Sequence, residues 1–250
     1  MRRYPGTFGR MLADSEVERA LVVCAHPDDV DFGAAGTVAT WVDAGIEVSY
    51  CLVTDGDAGG FDPSVPRSEI GGIRRAEQTA AAKEVGVTDL HWLGFPDGYL
   101  TVTLELRKAI ARVIRQVRPQ RVLTQSPDRN YLRVFASHPD HLAAGEATLC
   151  AVYPDARNEF WMPDLLAEEG LAPWSVSEVW MMASTQVNRY VDVTDVFDRK
   201  VAALRRHVSQ NTDSDEMAER IRSWLGARAV EGGLDEGRLA EAFLVVDTAG

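Results

Sequence analysis

Cysteine is scarce in this chain, three in 250 residues. Cys24, Cys51 and Cys150 stand far apart, so neither a disulfide framework nor a Cys-based zinc site is written here. Each lies among apolar neighbours and reads as a reduced thiol in the core. Positive charge is short as well: 26 Lys and Arg against 38 Asp and Glu leave a net charge of −12. That balance lacks the basic footprint of a nucleic-acid binder. No uninterrupted apolar run approaches membrane-spanning length. The first residues, MRRYPGTFGRML, carry arginines with no apolar stretch behind them and do not read as a signal peptide. A cytoplasmic protein without a membrane span is the expectation. No G-x-G-x-x-G follows the first apolar run, which excludes the dinucleotide fingerprint. Repeats and dividing linkers are also missing. The chain reads as one domain, 1–250, with a core over about 18–153 and C-terminal helices and an edge strand within 176–246.

What is present is an alternation of short apolar runs and helical patterns. Leu21 to Ala25 is a continuous apolar run of strand length, suited to a strand buried on both faces. A helix is expected from about Gly36 to Ala44, a strand over Glu47 to Val53, then the acidic glycine-rich loop Thr54 to Gly60. A helix over about Arg67 to Val85 sets Ile70, Ile73, Ala76 and Ala80 on one face. Asp89 to Leu93 is a strand, about Thr103 to Val117 a helix, and Arg121 to Thr124 a short strand. An alanine-rich helix runs on to about Val152, and Tyr153 to Ser175 reads as a surface excursion. Strand character returns at Ser177 to Met182 and Tyr190 to Val193. Two helical patterns follow, one through Val201, Leu204 and Val208 and one through Met217, Ile221, Trp224 and Leu225. Ala242 to Val246 reads as an edge strand, and Met1 to Val17 as an irregular arm. Strands alternating with helices mean βαβ units, and the fold class expected is α/β, a Rossmann-like three-layer sandwich with a mostly parallel central sheet.

Only five histidines occur, and three of them fall in two matching hooks: His26-Pro-Asp28-Asp29 and His138-Pro-Asp140-His141. Each hook directly follows a predicted strand or its loop, the place where open α/β sheets bind ligands. Imidazole and carboxylate are zinc ligands, and three protein ligands leave a fourth position for water. Six candidate groups exceed what such a site needs. The surplus suits the other parts of a hydrolytic centre: a proton acceptor, an oxyanion donor and groups that orient the imidazoles. Spacing alone does not distribute those parts. A single polar turn capped by Asp would explain one carboxylate, but not two paired hooks.

A-H-P-D-D after the first strand, a T-x-G-x-x-G-like loop after the second, R-x-x-E in the next helix, a P-D-G turn and a late H-P-D-H together resemble the LmbE-like (PIG-L) zinc-dependent N-deacetylases. The resemblance covers roughly Leu21 to Tyr153, with an echo at His207-x-Ser-Gln210. It implies Zn2+ held by His26, Asp29 and His141, with Asp28 as general base. It further implies His138 facing the carbonyl oxygen as an imidazolium, oriented by Asp140, and Arg74 and Asp97 holding the sugar. Arg74 with Glu77 could equally be a helix-surface ion pair, and Asp97 a turn residue before Gly98. His91 reads as structural; His207 is open between a pocket rim and a helix surface. Two departures stand out. Val30 replaces the Glu that many members carry after the second Asp, with Asp31 next. Ala136 stands where some sugar-specific members have Tyr, so a helping tyrosine would come from elsewhere, such as Tyr131.

The function expected is removal of an N-acetyl group from an amino sugar or related small amide by metal-activated water. The partner is then a small N-acylated molecule, a glycoconjugate by the resemblance, and a homo-oligomer is compatible with it. An amidase of a larger amide such as a thiol conjugate is the alternative within the class. Two further readings are a non-heme Fe(II) oxygenase and a non-catalytic binding module. The first spaces its leading pair as H-x-D, unlike H-x-x-D here. The second would lack a base or a ligand, and none is missing.

Overall fold

The computed structural model describes residues 11–60, 62–131, 133–210 and 214–249; Met1 to Arg10 of the expected arm lie outside them. Seven strands form the sheet: β1 Arg19–Cys24, β2 Glu47–Thr54, β3 Asp89–Phe95, β4 Arg121–Gln125, β5 Glu178–Met182, β6 Arg189–Asp192 and β7 Ala240–Asp247. Their order is β3-β2-β1-β4-β5-β7-β6. The first five are parallel, and β7 runs antiparallel to both β5 and β6. The helices are α1 Asp29–Gly33, α2 Ala35–Asp43, α3 Arg67–Glu84, α4 Leu104–Val117, α5 Pro139–Cys150, α6 Asp164–Ala167, α7 Phe197–Arg205 and α8 Ser214–Glu231.

Alternation along β1 shows why the sheet needs helices on both faces. Ala20, Val22 and Cys24 join one core, with Val38 and Trp41 of α2 and Ala81 and Ala82 of α3. Leu21, Val23 and Ala25 join the other, with Leu106, Ile110 and Ile114 of α4 and Ala144 and Ala147 of α5. A strand at the middle of a parallel sheet has no solvent face, hence its unbroken apolar run. Helix α4 starts where the Thr103 side chain accepts the Leu106 N–H, and it buries Leu106, Ile110, Val113 and Ile114. Each such side chain contributes roughly 1.5–3 kcal/mol by leaving water. Cys24 and Cys51 are buried in these layers and Cys150 is half-buried; burial pushes the Cys51 thiol up to about 12.

Four expectations are corrected. Helix begins again at Asp29, directly after the first hook, with only a break at Ala34 before α2. On α3 the buried residues are Arg74, Gln78, Ala81 and Ala82, whereas Ile73 is exposed. Of the expected face, Ile73 and Ala76 are exposed and Ile70 and Ala80 half-buried, because the polar side chains at 74 and 78 take the buried position beneath the first hook. Helix α7 ends at Arg205, leaving Val208 exposed. Strand β7 is interior, between β5 and β6, and the edge is β6. His91 lies in β3, with its ring 3.2 Å from the Asp89 carboxylate.

Candidate metal centre

β1 and β4 are neighbours although their crossovers run to opposite sides, so the sheet reverses its strand order between them. A crevice opens at the carboxyl ends of strands at such a point. The first hook leaves β1 and the second leaves the loop after β4, which brings His26, Asp29, His138 and His141 together across this crevice. The ring centroids of His26, His138 and His141 are mutually 5.0–5.4 Å apart. Asp29 stands between two of them. Its Oδ1 is 2.9 Å from His141 Nε2, and its Oδ2 is 3.4 Å from His26 Nδ1. The His26 backbone N–H and Gln125 Nε2 both donate to Asp29 Oδ2, each at 2.7 Å.

The other nitrogen of His26, Nε2, meets two further carboxylates, Asp97 Oδ1 at 3.0 Å and Asp140 Oδ2 at 3.3 Å. Asp140 is fixed in turn by the N–H groups of Gly98 and Leu100, and Asp97 by that of Ala58. His138 caps α5: its Nδ1 accepts the Asp140 backbone N–H at 3.2 Å. Asp140 therefore meets His138 through its backbone, while its carboxylate faces His26.

Among the described residues, two overlapping sets bring ligand atoms within 4.8 Å of one another: His26 with His138 and His141, and His26 with Asp97 and Asp140. The electrostatics ask for a cation. Burial alone would lower the His26 imidazole, yet hydrogen bonds to Asp140 and Asp29 overcome it and raise it to about 12. Burial also works against His141, whose imidazole is nonetheless raised by Asp29. Against the cost of its burial, Asp29 is held well below the carboxylate range, chiefly by His141. Converging carboxylates whose charge is met by protonated imidazoles make a donor set that a divalent cation fits.

The Asp28 carboxylate is paired with Arg74. Burial and Asp29 raise its carboxyl to about 6 against the pull of Arg74. Its backbone is left-handed, at φ 81°, which costs a residue with a Cβ about 1–2 kcal/mol. Arg74, expected at the sugar, is 4% exposed. Its Nη2 donates to the Pro27 carbonyl at 2.6 Å and to Asp28 Oδ2 at 3.0 Å, and its Nη1 to the Gly56 carbonyl at 3.2 Å. The Thr54–Gly60 loop closes over it. A Cβ at Gly56 or Gly59 would stand 2.4 or 2.7 Å from Arg74 Nη1. Asp97 is likewise buried, against His26 and this loop. Tyr131 is exposed.

Sequence reading passed over Gln78, Gln125 and the destination of Asp31. Gln125 is a polar residue ending a buried strand, and Gln78 lies one helical turn beyond Arg74; those were the available signals. His207 is neither on a rim nor on a surface. It is fully buried, with Nε2 2.8 Å from Asp31 Oδ2.

Beside Asp29 and His141 opens a cavity of about 390 Å3 with Phe32, Arg133, Phe135 and Trp224 in its wall. Arg133 packs over the rings of Phe135 and Trp224, at 5.0 and 5.4 Å. No helix among the described residues is long and apolar enough to cross a membrane.

The model of the PIG-L family, GlcNAc-PI de-N-acetylase, matches residues 21–152. A diacetylchitobiose deacetylase of Thermococcus kodakarensis is 38% identical over 196 residues, covering 78% of this chain and 71% of that protein. A probable N-acetyl-alpha-D-glucosaminyl L-malate deacetylase 2 of Bacillus cereus is 33% identical, covering 76% and 82%. Among solved structures, the N,N'-diacetylchitobiose deacetylase of Pyrococcus horikoshii superposes with a TM-score of 0.84 at 29% identity, covering 93% of this chain and 85% of that one. With the family's model spanning both hooks and relatives matching across most of its length, this chain belongs to the PIG-L family and is an enzyme of the N-deacetylase class.

Proposed function

We propose that the protein removes an N-acetyl group from an amino sugar carried in a small glycoconjugate, with Zn2+ as its metal. The carrying observation is the convergence of two His-Pro-Asp hooks, 112 positions apart from His26 to His138, at the β1–β4 crevice beside a cavity. His26, Asp29 and His141 would hold the zinc, and Asp97 and Asp140 would orient His26 through its far nitrogen. When bound, zinc supplies Lewis-acid polarisation of the amide carbonyl and acidifies water.

The remaining steps belong to the chain's own side chains. Asp28, raised by burial and by its neighbour Asp29, takes the proton of the attacking water, and that proton is then available to the leaving amine. His138 donates to the carbonyl oxygen as negative charge develops there. Its Nδ1 accepts a backbone N–H, which in the neutral ring leaves the proton on Nε2. A ring that accepts at Nδ1 is uncharged, so a neutral Nε2–H donor is supported in place of the expected imidazolium. Arg74 is better suited to fixing Asp28 than to reaching a sugar hydroxyl. The aromatic wall of Phe135 and Trp224 offers the face on which the remainder of the glycoside lies.

The test is to incubate zinc-loaded protein with N-acetylglucosamine, diacetylchitobiose and N-acetylglucosaminyl malate, and to follow acetate together with free amine. Equal amounts of both products are expected from at least one glycoside. Amine release without acetate from a larger amide would move the protein to the amidases.

A further inference from the structure

Beneath the first hook runs a buried chain of hydrogen bonds that the reaction as described does not use. The Asp28 backbone N–H donates to Gln78 Oε1 at 2.7 Å. Gln78 Nε2 donates to Asp31 Oδ2 at 2.9 Å, and the same oxygen meets His207 Nε2 at 2.8 Å. Gln78, Asp31 and His207 have no accessible surface. None of them lines the cavity beside Asp29 and His141.

Each link fixes the next. A left-handed Asp28 is not a resting conformation for a residue with a Cβ, so the peptide before it must be held. Arg74 and Gln78, four apart on α3, hold it at both ends: Arg74 takes the Pro27 carbonyl and Gln78 the Asp28 N–H. A glutamine amide can present either end, and an acceptor at its nitrogen reinforces the choice that turns the oxygen toward the Asp28 N–H. Asp31 is that acceptor, and His207 holds Asp31 in place. The segment bearing His207 is fastened to α3 beside Gln78. The Ser209 N–H and hydroxyl both donate to the Glu77 carboxylate at 2.7 Å.

The chain is not built for stability alone. Asp31 Oδ1 and His207 Nδ1 are buried without partners among the described residues, a cost that an apolar pair would avoid. We propose that Gln78, with the Asp31–His207 pair behind it, is a positioning residue. It locks the Pro27–Asp28 peptide in its left-handed form and so sets the direction of the Asp28 carboxylate. The proposal rests on Asp28 being the general base. It gives His207 and Ser209, of the His207-x-Ser-Gln210 echo, a role at the reaction through Asp31 and Glu77.

The experiment uses the full chain loaded with zinc, diacetylchitobiose as substrate, and the variants Gln78→Met, His207→Leu, His207→Gln, the double variant Gln78→Met/His207→Leu, and Asp28→Asn. Gln78→Met keeps volume and removes the acceptor. It is expected to lower kcat by roughly 10–100-fold with KM within about twofold and one zinc per chain retained. His207→Gln, whose side-chain nitrogen can replace Nε2 toward Asp31, should keep more than about half of kcat, and His207→Leu should not. Because the links act in series, the double variant should be no slower than Gln78→Met by more than about twofold. Amide hydrogen exchange supplies a readout independent of turnover: the Asp28 N–H should exchange faster in Gln78→Met and His207→Leu, and at the wild-type rate in His207→Gln. Wild-type kcat in Gln78→Met, additive losses in the double variant, or an unchanged Asp28 exchange rate each overturns the positioning role. Full activity in Asp28→Asn would instead remove the general-base reading, and the proposal with it.

Discussion

Gly145 lies so close to Gln125 that a Cβ on it would stand 2.3 Å from the Gln125 carbonyl oxygen. That contact seats α5 on the end of β4, and the same two elements carry His141 and the amide that donates to Asp29. The neighbour is backbone, so nothing flexible can give way. Gly145→Ala should therefore displace α5, cost about 1–3 kcal/mol of stability by overpacking, and lower zinc occupancy. Gly72, in α3 with open space around it, is the matched control, since alanine there should be neutral or stabilise by up to ~1 kcal/mol. Thermal melting and zinc per chain, measured on both variants, check this. A Gly145→Ala protein that melts and binds zinc like the wild type would mean that the α5–β4 seat has slack.

The centre was legible because its signal is local and polar where the chain should be apolar. β1 announces itself by an unbroken run, and two hooks with three of five histidines leave few other destinations. The sheet followed from its crossovers. What could not be read is what depends on contacts distant in sequence. α3 carries both weakly apolar and polar stripes, and the choice between them was made by Asp28 and Asp31, more than 40 positions away. β7 looked like an edge because a short final run carries no mark of its neighbours; only its antiparallel pairing with β5 and β6 makes it interior. His207 gave no periodic signal, as it lies just beyond the end of α7. Asp140 was expected to serve its hook partner His138, and the turn geometry instead sends its carboxylate to His26.

Asp28 and Asp29 are adjacent, yet one is fastened to Arg74 and the other to His141. Asp28→Asn should keep zinc and lower kcat by roughly 10²–10⁴-fold, the usual worth of a general base. Asp29→Ala should lose zinc first and regain part of its activity with excess metal. Zinc stoichiometry and kcat determined side by side decide the assignment, and the opposite pattern reverses it.

Lys200 and Glu241 form an ion pair with no exposure on either side. Lys200 also donates to the carbonyls of Asp31 and Phe32, while Glu241 receives the N–H groups of Gly36 and Thr37. The pair thus closes the end of α1 and the start of α2, one turn behind the first hook. Lys200→Met would leave Glu241 charged and buried, and should cost about 3–5 kcal/mol. Lys200→Met/Glu241→Gln should recover part of that loss by removing the stranded charge. Urea unfolding curves of the two variants give the comparison. A double variant no more stable than the single one would show that the hydrogen bonds, rather than the charge, dominate.

His207 carries the last prediction, because its protonation is linked to folding. Burial lowers its imidazole, but Asp31, with smaller contributions from Asp28 and Glu77, more than offsets this and raises it above its ordinary value. The unfolded chain has the ordinary value, near 6.5. Between that value and the raised one, the folded protein holds a proton that the unfolded chain has released. Stability therefore falls as pH rises across that window, by at most about 1.4 kcal/mol per pH unit. The contribution is fully present below about pH 6.5 and is lost as pH climbs through the folded value. His207→Gln keeps a donor for Asp31 but cannot take the proton, so it lacks this slope. Unfolding free energies of wild type and His207→Gln, measured from pH 5 to pH 9, should thus differ most at the acid end and converge as pH rises. A gap that stays constant over that range would mean that His207 is neutral in the fold and holds Asp31 by its N–H alone.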